Sequence, residues 1–80
     1  MFENIISLIQ QVANDRTVPR NIRTLCEDSI KILQNEKEDL AVRINTVISS
    51  MDEVSNDPNI PTYTRTQVWN IVSLLESIQK

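Results

Sequence analysis

The sequence predicts an all-α fold, a four-helix up-and-down bundle built from two duplicated helical hairpins. Apolar residues recur at helical spacing in four segments, and no segment alternates with period two. The chain has no glycine, which removes the usual chemistry of tight turns between strands. Residues 5–33 also align without a gap on residues 47–75, with nine identical pairs. This internal repeat predicts a duplication. The identical pairs include Asn14/Asn56, Asp15/Asp57, Pro19/Pro61 and Arg23/Arg65.

The first hairpin, residues 2–35, is expected to consist of a helix, a short turn and a second helix. The apolar stripe of its first helix contains Phe2, Ile5, Ile9, Val12 and Ala13. Asn14 and Asp15 break this pattern, and Pro19 suits the first helical position after the turn because its missing N–H is not needed there. The stripe of the second helix contains Ile22, Cys26, Ser29, Ile30 and Leu33.

The second hairpin, residues 39–80, repeats this arrangement. Asn35 is expected to cap its first helix, with Glu38 three residues later completing a capping box. The apolar stripe of that helix contains Leu40, Ile44, Val47, Ile48, Met51 and Val54. The turn at residues 56–58 ends it, and Pro61 restarts the chain. The last stripe contains Val68, Ile71, Val72, Leu75 and Ile78. Helices of about 12–17 residues follow from this spacing.

Short turns make consecutive helices antiparallel neighbours, so the two hairpins can close into a bundle. The alternative is a two-repeat stack like that of HEAT repeats, which have a similar period. A solenoid needs about three repeats for stability, so a chain of 80 residues favours the closed bundle. The length allows one small domain, with a folded surface of about 4,900 Å².

The composition excludes several classes of site. The chain has no histidine, no glycine and one cysteine, and its net charge is −3. Histidine-based catalytic pairs, phosphate-binding glycine loops and multi-cysteine zinc sites therefore cannot form. We expect no enzyme activity, no catalytic residue, no cofactor and no metal, and we expect the lone Cys26 to be a core residue. The opening segment does not resemble a signal peptide and no apolar run could span a bilayer, so a cytoplasmic protein without a membrane partner is expected.

The sequence also resembles a known family. The resemblance covers nearly the whole chain, from residues 18–23 (VPRNIR) to residues 57–78 (DPNIPTYTRTQVWNIVSLLESI). These segments are similar to uncharacterised protein family 0147, a family of short archaeal proteins. The resemblance implies an all-helical four-helix bundle in archaeal cytoplasm. It implies no activity, cofactor or catalytic residue.

The most informative candidate for function is Trp69. It lies at the edge of the last apolar stripe and aligns with Glu27 of the first hairpin, so the duplicated frame does not require an apolar group there. Tryptophan is a frequent anchor of protein interfaces. We therefore predict a protein–protein contact, with a partner or in a homodimer, anchored by Trp69 and Tyr63 with Arg20 and Arg65 at its rim. A rim residue that covers the bundle end is the alternative for Trp69.

An alternative function is RNA association through the first turn. Arg16, Arg20 and Arg23 cluster there, and such a cluster attracts phosphate. A solvated charged turn is the structural alternative. Arg23 and its counterpart Arg65 are also expected to close their hairpins, each reaching the aspartate and carbonyls that end the preceding helix.

Overall fold

Four helices joined by three short turns form the part of the chain that the computed structural model describes, residues 2–79. They are α1 (Glu3–Ala13), α2 (Arg20–Gln34), α3 (Leu40–Ser55) and α4 (Thr62–Gln79). The all-α prediction is confirmed. The helices contain 11, 15, 16 and 18 residues, so α1 is shorter and α4 longer than the spacing indicated.

Each helix packs against two others. The contacting pairs are α1–α2, α2–α3, α3–α4 and α1–α4, while the diagonal pairs make no contact among the described residues. A two-repeat stack would not bring the first helix against the last, so the bundle prediction is confirmed. The accessible surface is 4996 Å², close to the area expected from the chain length.

The four predicted apolar stripes meet along the axis of this bundle. Every predicted core residue of the first hairpin is buried, and Cys26 is fully enclosed among them. The second hairpin is looser, because Leu40 is 36% exposed and Ile48, Val72 and Ile78 are only partly buried. Leu40 lies at the first position of α3, where fewer neighbouring side chains cover it.

The three turns share one hydrogen-bonding scheme. The side-chain Oδ1 of Asp15, Asn35 or Asp57 accepts the backbone N–H two residues later, at 2.9, 3.2 and 2.8 Å. Such a bond lets a short side chain take the place of a backbone partner in a turn. The prediction that Asn35 caps α3 is therefore wrong. Asn35 follows the end of α2, and Asp39 precedes α3 without making a side-chain cap hydrogen bond.

Each later helix also starts in the same way. The carbonyl of Pro19, Asp39 or Pro61 accepts the N–H four residues later, at 3.0, 3.0 and 3.2 Å. The sequence predicts Pro19 as the first helical residue, but Pro19 precedes that residue and has an extended ψ of 147°. Its fixed φ still prepares the helix start.

The two hairpins have nearly the same pattern of burial. Across the 42-residue shift, aligned residues share the same degree of exposure except at Ala13/Ser55 and Ile30/Val72. This agreement fits a duplicated frame, and the duplication itself stays a prediction. It also identifies aligned residues that differ in chemistry while having the same degree of burial.

Thr64 is one such residue and supports a stability prediction. It is fully buried, aligns with the buried Ile22, and its Oγ1 has no hydrogen-bond partner among the described residues. Because a buried hydroxyl without a partner is unfavourable, Thr64→Val should raise the free energy of unfolding by about 1–2 kcal/mol. Urea denaturation of both proteins measures the difference. An unchanged or lower midpoint would show that the hydroxyl is solvated or bonded.

Candidate functional site

Arginine side chains cap the helices that precede two of the turns. The guanidinium of Arg65 donates from Nε to the Ser55 carbonyl at 2.8 Å and from Nη2 to the Asp57 carbonyl at 2.9 Å. Arg43 donates from Nη1 to the Leu33 carbonyl at 2.9 Å. These carbonyls lie at or just beyond helix ends, where intrahelical partners run out. The predicted closure of the second hairpin is therefore present, made with backbone carbonyls rather than the Asp57 carboxylate.

Sequence reasoning missed Arg43, although a signal was available. Each turn has an Asp or Asn eight residues before the arginine: Asp15 before Arg23, Asn35 before Arg43 and Asp57 before Arg65. The middle turn lies between the two hairpins, so the 42-residue repeat does not include it as a pair. Arg43 also lies over the Phe2 ring, with its guanidinium carbon 5.7 Å from the ring centroid. It thus ties the N-terminal end of α1 to the α2–α3 turn.

Arg23 aligns with Arg65 across the 42-residue shift but does not make the same hydrogen bonds. No described carbonyl accepts its guanidinium, and its Nε is buried without a hydrogen-bond partner. Only its charge acts on the turn, as a minor influence that lowers the pKa of Asp15. The prediction that Arg23 closes the first hairpin by hydrogen bonds is therefore not met by the geometry.

Hydrogen bonds to the Asp15 carboxylate stabilise the first turn instead. Asp15 accepts the Thr17 hydroxyl at 2.6 Å and, on its other oxygen, the Tyr63 hydroxyl at 2.7 Å. The Thr17 and Tyr63 hydroxyl oxygens lie 2.8 Å apart. These bonds lower the pKa of Asp15, with Thr17 as the largest cause and Tyr63 the next. Tyr63 therefore connects the start of α4 to the α1–α2 turn.

This contact predicts a pH dependence. Because the pKa of Asp15 is lower in the folded state than its ordinary value of 3.8, its ionised form stabilises the fold above that value. The contribution is lost as the pH falls through the lowered pKa. Tyr63→Phe removes one donor, so its unfolding midpoint in urea should fall below that of the wild type at neutral pH. The gap between the two midpoints should narrow as the pH falls below 3.8, and a gap of constant size would contradict the assignment.

The three arginines of the first turn line one polar depression. Its volume is about 380 Å³, and it lies between the end of α1 and the start of α2. Arg16 and Arg20 are exposed, with no hydrogen-bond or ion-pair partner among the described residues. The structure thus places Arg16, Arg20 and Arg23, the residues predicted for anion or RNA contact, around one depression. The residues that line the depression are Ala13, Asn14, Arg16, Arg20, Arg23, Thr24 and Glu27.

The predicted protein-contact residues do not form one patch. Trp69 is 58% exposed and Tyr63 is 53% exposed, but six residues separate them and place them about 120° apart around α4. Tyr63 reaches the α1–α2 turn, whereas Arg65, one turn before Trp69, reaches the end of α3. Trp69 and Arg65 therefore share the α3 flank of α4, Tyr63 lies on the α1 flank, and Arg20 belongs to the arginine depression.

The α3 flank of α4 carries the most exposed large apolar side chain. One turn beyond Trp69, Val72 lies on the same flank and is only partly buried while packing against the core. Leu40 and Val42 are the exposed large aliphatic residues, and both lie at the start of α3, at the end of the bundle away from the α3–α4 turn. Trp69 thus projects from a flank with apolar surface beneath it.

The remaining reactive groups follow the structural expectation. Cys26 is buried, and burial, with a smaller effect of Glu27, raises the pKa of its thiol to about 11. A thiol so rarely ionised is a poor nucleophile, so the prediction of a core cysteine is confirmed. Within residues 2–79, no group of three or more cysteine and carboxylate side chains is placed to hold a metal ion. In the same part of the chain, no helix has the length and hydropathy to cross a membrane.

Comparisons of sequence and of structure with known proteins point to the same family. The model of the uncharacterised protein family UPF0147 matches residues 1–78. A UPF0147 protein of Methanothermobacter thermautotrophicus is 51% identical over 79 residues, 99% of this chain and 78% of the relative. One from Metallosphaera sedula is 47% identical over 74 residues, 92% of this chain and 83% of the relative. The crystal structure of a UPF0147 protein from Thermoplasma acidophilum superposes with a TM-score of 0.90 at 41% identity, covering 95% of this chain and 89% of that one.

Proposed function

We propose that this chain, which belongs to the uncharacterised protein family UPF0147, is a non-catalytic helical module that acts by protein–protein contact in the cytoplasm. The observation that carries the proposal is the position of Trp69. Its side chain is 58% exposed on the α3 flank of α4, next to Arg65 and the partly buried Val72. Trp69 and Val72 form the apolar centre of the contact.

The internal alignment supports this role for Trp69. Its counterpart in the first hairpin is Glu27, which is also exposed, so the bundle folds around a charged residue at this position. Packing of the core therefore does not account for a large aromatic side chain here. Tryptophan in an interface removes a large apolar area from water at a small cost in side-chain entropy, which makes it a strong anchor.

Arg65 supplies rigidity beside Trp69. Its guanidinium is held by two carbonyls at the end of α3 and just beyond it, so the α3 and α4 surfaces next to Trp69 keep a fixed spacing. A preorganised flank loses less conformational freedom on binding, which favours affinity. The partner is another protein or a second copy of this chain.

RNA association, the alternative, has weaker support. The arginine depression offers three cations, but the chain has a net charge of −3, which opposes a long polyanion. The aromatic residues that stack unpaired bases in many RNA-binding proteins are also not available as a platform. Tyr63 is tied by its hydroxyl to Asp15, and Trp69 lies on the second hairpin.

The test is a capture experiment from the native host at moderate salt, with three tagged proteins side by side. They are the wild type, Trp69→Glu and Val42→Glu, and eluates are examined for protein with and without nuclease. Trp69→Glu installs the residue that the first hairpin has at this position. Val42→Glu is the matched control, because Val42 is 49% exposed and lies on another helix, in the first turn of α3.

The proposal expects a partner, or untagged copies of the chain, bound to the wild type and to Val42→Glu but not to Trp69→Glu, and insensitive to nuclease. Equal recovery with all three proteins would remove Trp69 as the anchor. Material that disappears with nuclease would favour RNA association instead.

A further inference from the structure

The two hairpins differ in charge where the first helix of each ends and the second begins. In the second hairpin, Arg65 is bonded to carbonyls, and its neighbours across the shift are Pro58, Thr62 and Trp69. In the first hairpin the same places hold Arg16, Arg20 and Glu27, and Arg23 makes no such bonds. The first hairpin therefore carries two cations that the second lacks, and its third arginine makes none of the carbonyl bonds of Arg65.

We propose that the arginine depression, lined by Arg16, Arg20 and Arg23, binds a phosphoryl group. This site is independent of Trp69 and of the protein contact, because it lies on the other hairpin. Guanidinium groups donate several N–H bonds in a fixed plane, a geometry that matches the oxygens of phosphate. Three of them around one depression can share the non-bridging oxygens of a single phosphate.

The guanidinium of Arg23, which makes no hydrogen bond with the described residues, is the observation that points to a ligand. In the second hairpin the equivalent Nε of Arg65 has the Ser55 carbonyl at 2.8 Å. Arg23 makes no such bond and lines the depression, and its terminal nitrogens are neither hydrogen-bonded nor buried, so an oxygen bound there can accept from them.

The start of α2 adds to the positive potential. The helix begins at Arg20 and has no acidic residue in its first turn. Its N-terminal end therefore favours an anion without a competing carboxylate from that turn. The nearby Asp15 carboxylate accepts hydrogen bonds from Thr17 and Tyr63, and Glu27 is the one carboxylate among the residues that line the depression.

The size of the depression limits the ligand. About 380 Å³ is near the small end of the range for ligand pockets, enough for one phosphate and part of the group attached to it. The net charge of −3 disfavours a run of backbone phosphates along the surface. A single phosphoryl group, on a mononucleotide or at the 5′ end of an RNA, fits the site better than the interior of a nucleic acid.

The test is an NMR titration of ¹⁵N-labelled protein at constant ionic strength, in which inorganic phosphate replaces chloride. The Arg23 Nε–Hε resonance reports occupancy of the site. Two variants remove one positive charge each: Arg20→Thr, which restores the residue of the second hairpin, and Lys37→Thr in the exposed turn at the other end of the bundle. Circular dichroism verifies that both variants remain folded.

The proposal expects a saturable shift of the Arg23 resonance, an affinity at least about ten-fold lower in Arg20→Thr, and less than about two-fold change in Lys37→Thr. Absence of a saturable shift, or equal weakening in both variants, would overturn it.

Further titrations use a nucleoside monophosphate and matched RNA oligomers with a 5′-phosphate or a 5′-hydroxyl. Tighter binding of the monophosphate than of the 5′-phosphorylated RNA identifies a free nucleotide, and the reverse order identifies an RNA end. Equal binding of the two RNAs would contradict a single-phosphoryl site.

Discussion

Replacement of Arg65 by alanine is expected to lower the free energy of unfolding by about 2–3 kcal/mol. The change removes two charge-assisted hydrogen bonds, to the carbonyls of Ser55 and Asp57, in a part-buried position. Hydrogen bonds to a charged group are stronger than neutral ones, and the carbonyls left behind at a helix end have few other partners.

Arg23→Ala is the matched control, because Arg23 aligns with Arg65 across the 42-residue shift but lacks these hydrogen bonds. Its expected cost is about 1 kcal/mol or less, from lost packing of the side-chain stem. A domain of this size seldom has more than about 3–5 kcal/mol of stability, so Arg65→Ala should be close to unfolding at room temperature. Urea denaturation monitored by circular dichroism measures both variants. Equal costs would show that Arg23 closes its hairpin in solution as Arg65 does.

Trp69→Glu is expected to lower the affinity for the protein partner by about 30-fold or more, while the free energy of unfolding changes by about 0.5 kcal/mol or less. The large effect on binding follows from the loss of an apolar anchor and the introduction of a charge into the contact. The small effect on folding follows from the exposure of Trp69 and from Glu27, which occupies the equivalent place in the first hairpin.

Isothermal titration with the captured partner and urea denaturation of the same samples separate the two effects of Trp69→Glu. Val42→Glu controls for the added charge and should bind as the wild type does. A large loss of stability in Trp69→Glu with unchanged affinity would place Trp69 in the packing of the bundle.

The fold was predictable because each of its determinants is local. The spacing of apolar residues in the four helices can be read from short segments of the sequence, and so can the Asn-Asp and proline turns. Both hairpins contain these same features. One of the wrong assignments, Asn35 as a helix cap, has a local cause as well. An Asn followed three residues later by Glu38 fits a capping box, but Asn35 uses the same oxygen to stabilise the turn itself.

The site was predictable only in part, because its contacts join residues far apart in the chain. Exposure of Trp69 and clustering of Arg16, Arg20 and Arg23 follow from helix faces and sequence proximity. The bond between Tyr63 and Asp15 crosses 48 residues and separates Tyr63 from Trp69, which no spacing rule indicates. The difference between Arg23 and Arg65 was also hidden, since the two aligned arginines are identical in sequence.

The most direct test of the proposed function uses the fluorescence of Trp69, the chain's one tryptophan. Acrylamide quenching of its emission is measured in the isolated chain at low concentration. The measurement is repeated after addition of the captured partner, either as a fragment without tryptophan or as a labelled copy. We predict strong quenching in the isolated chain, as for an indole in water, and a marked decrease in quenching in the complex. Quenching that stays the same when the partner binds would contradict the claim that Trp69 anchors the contact.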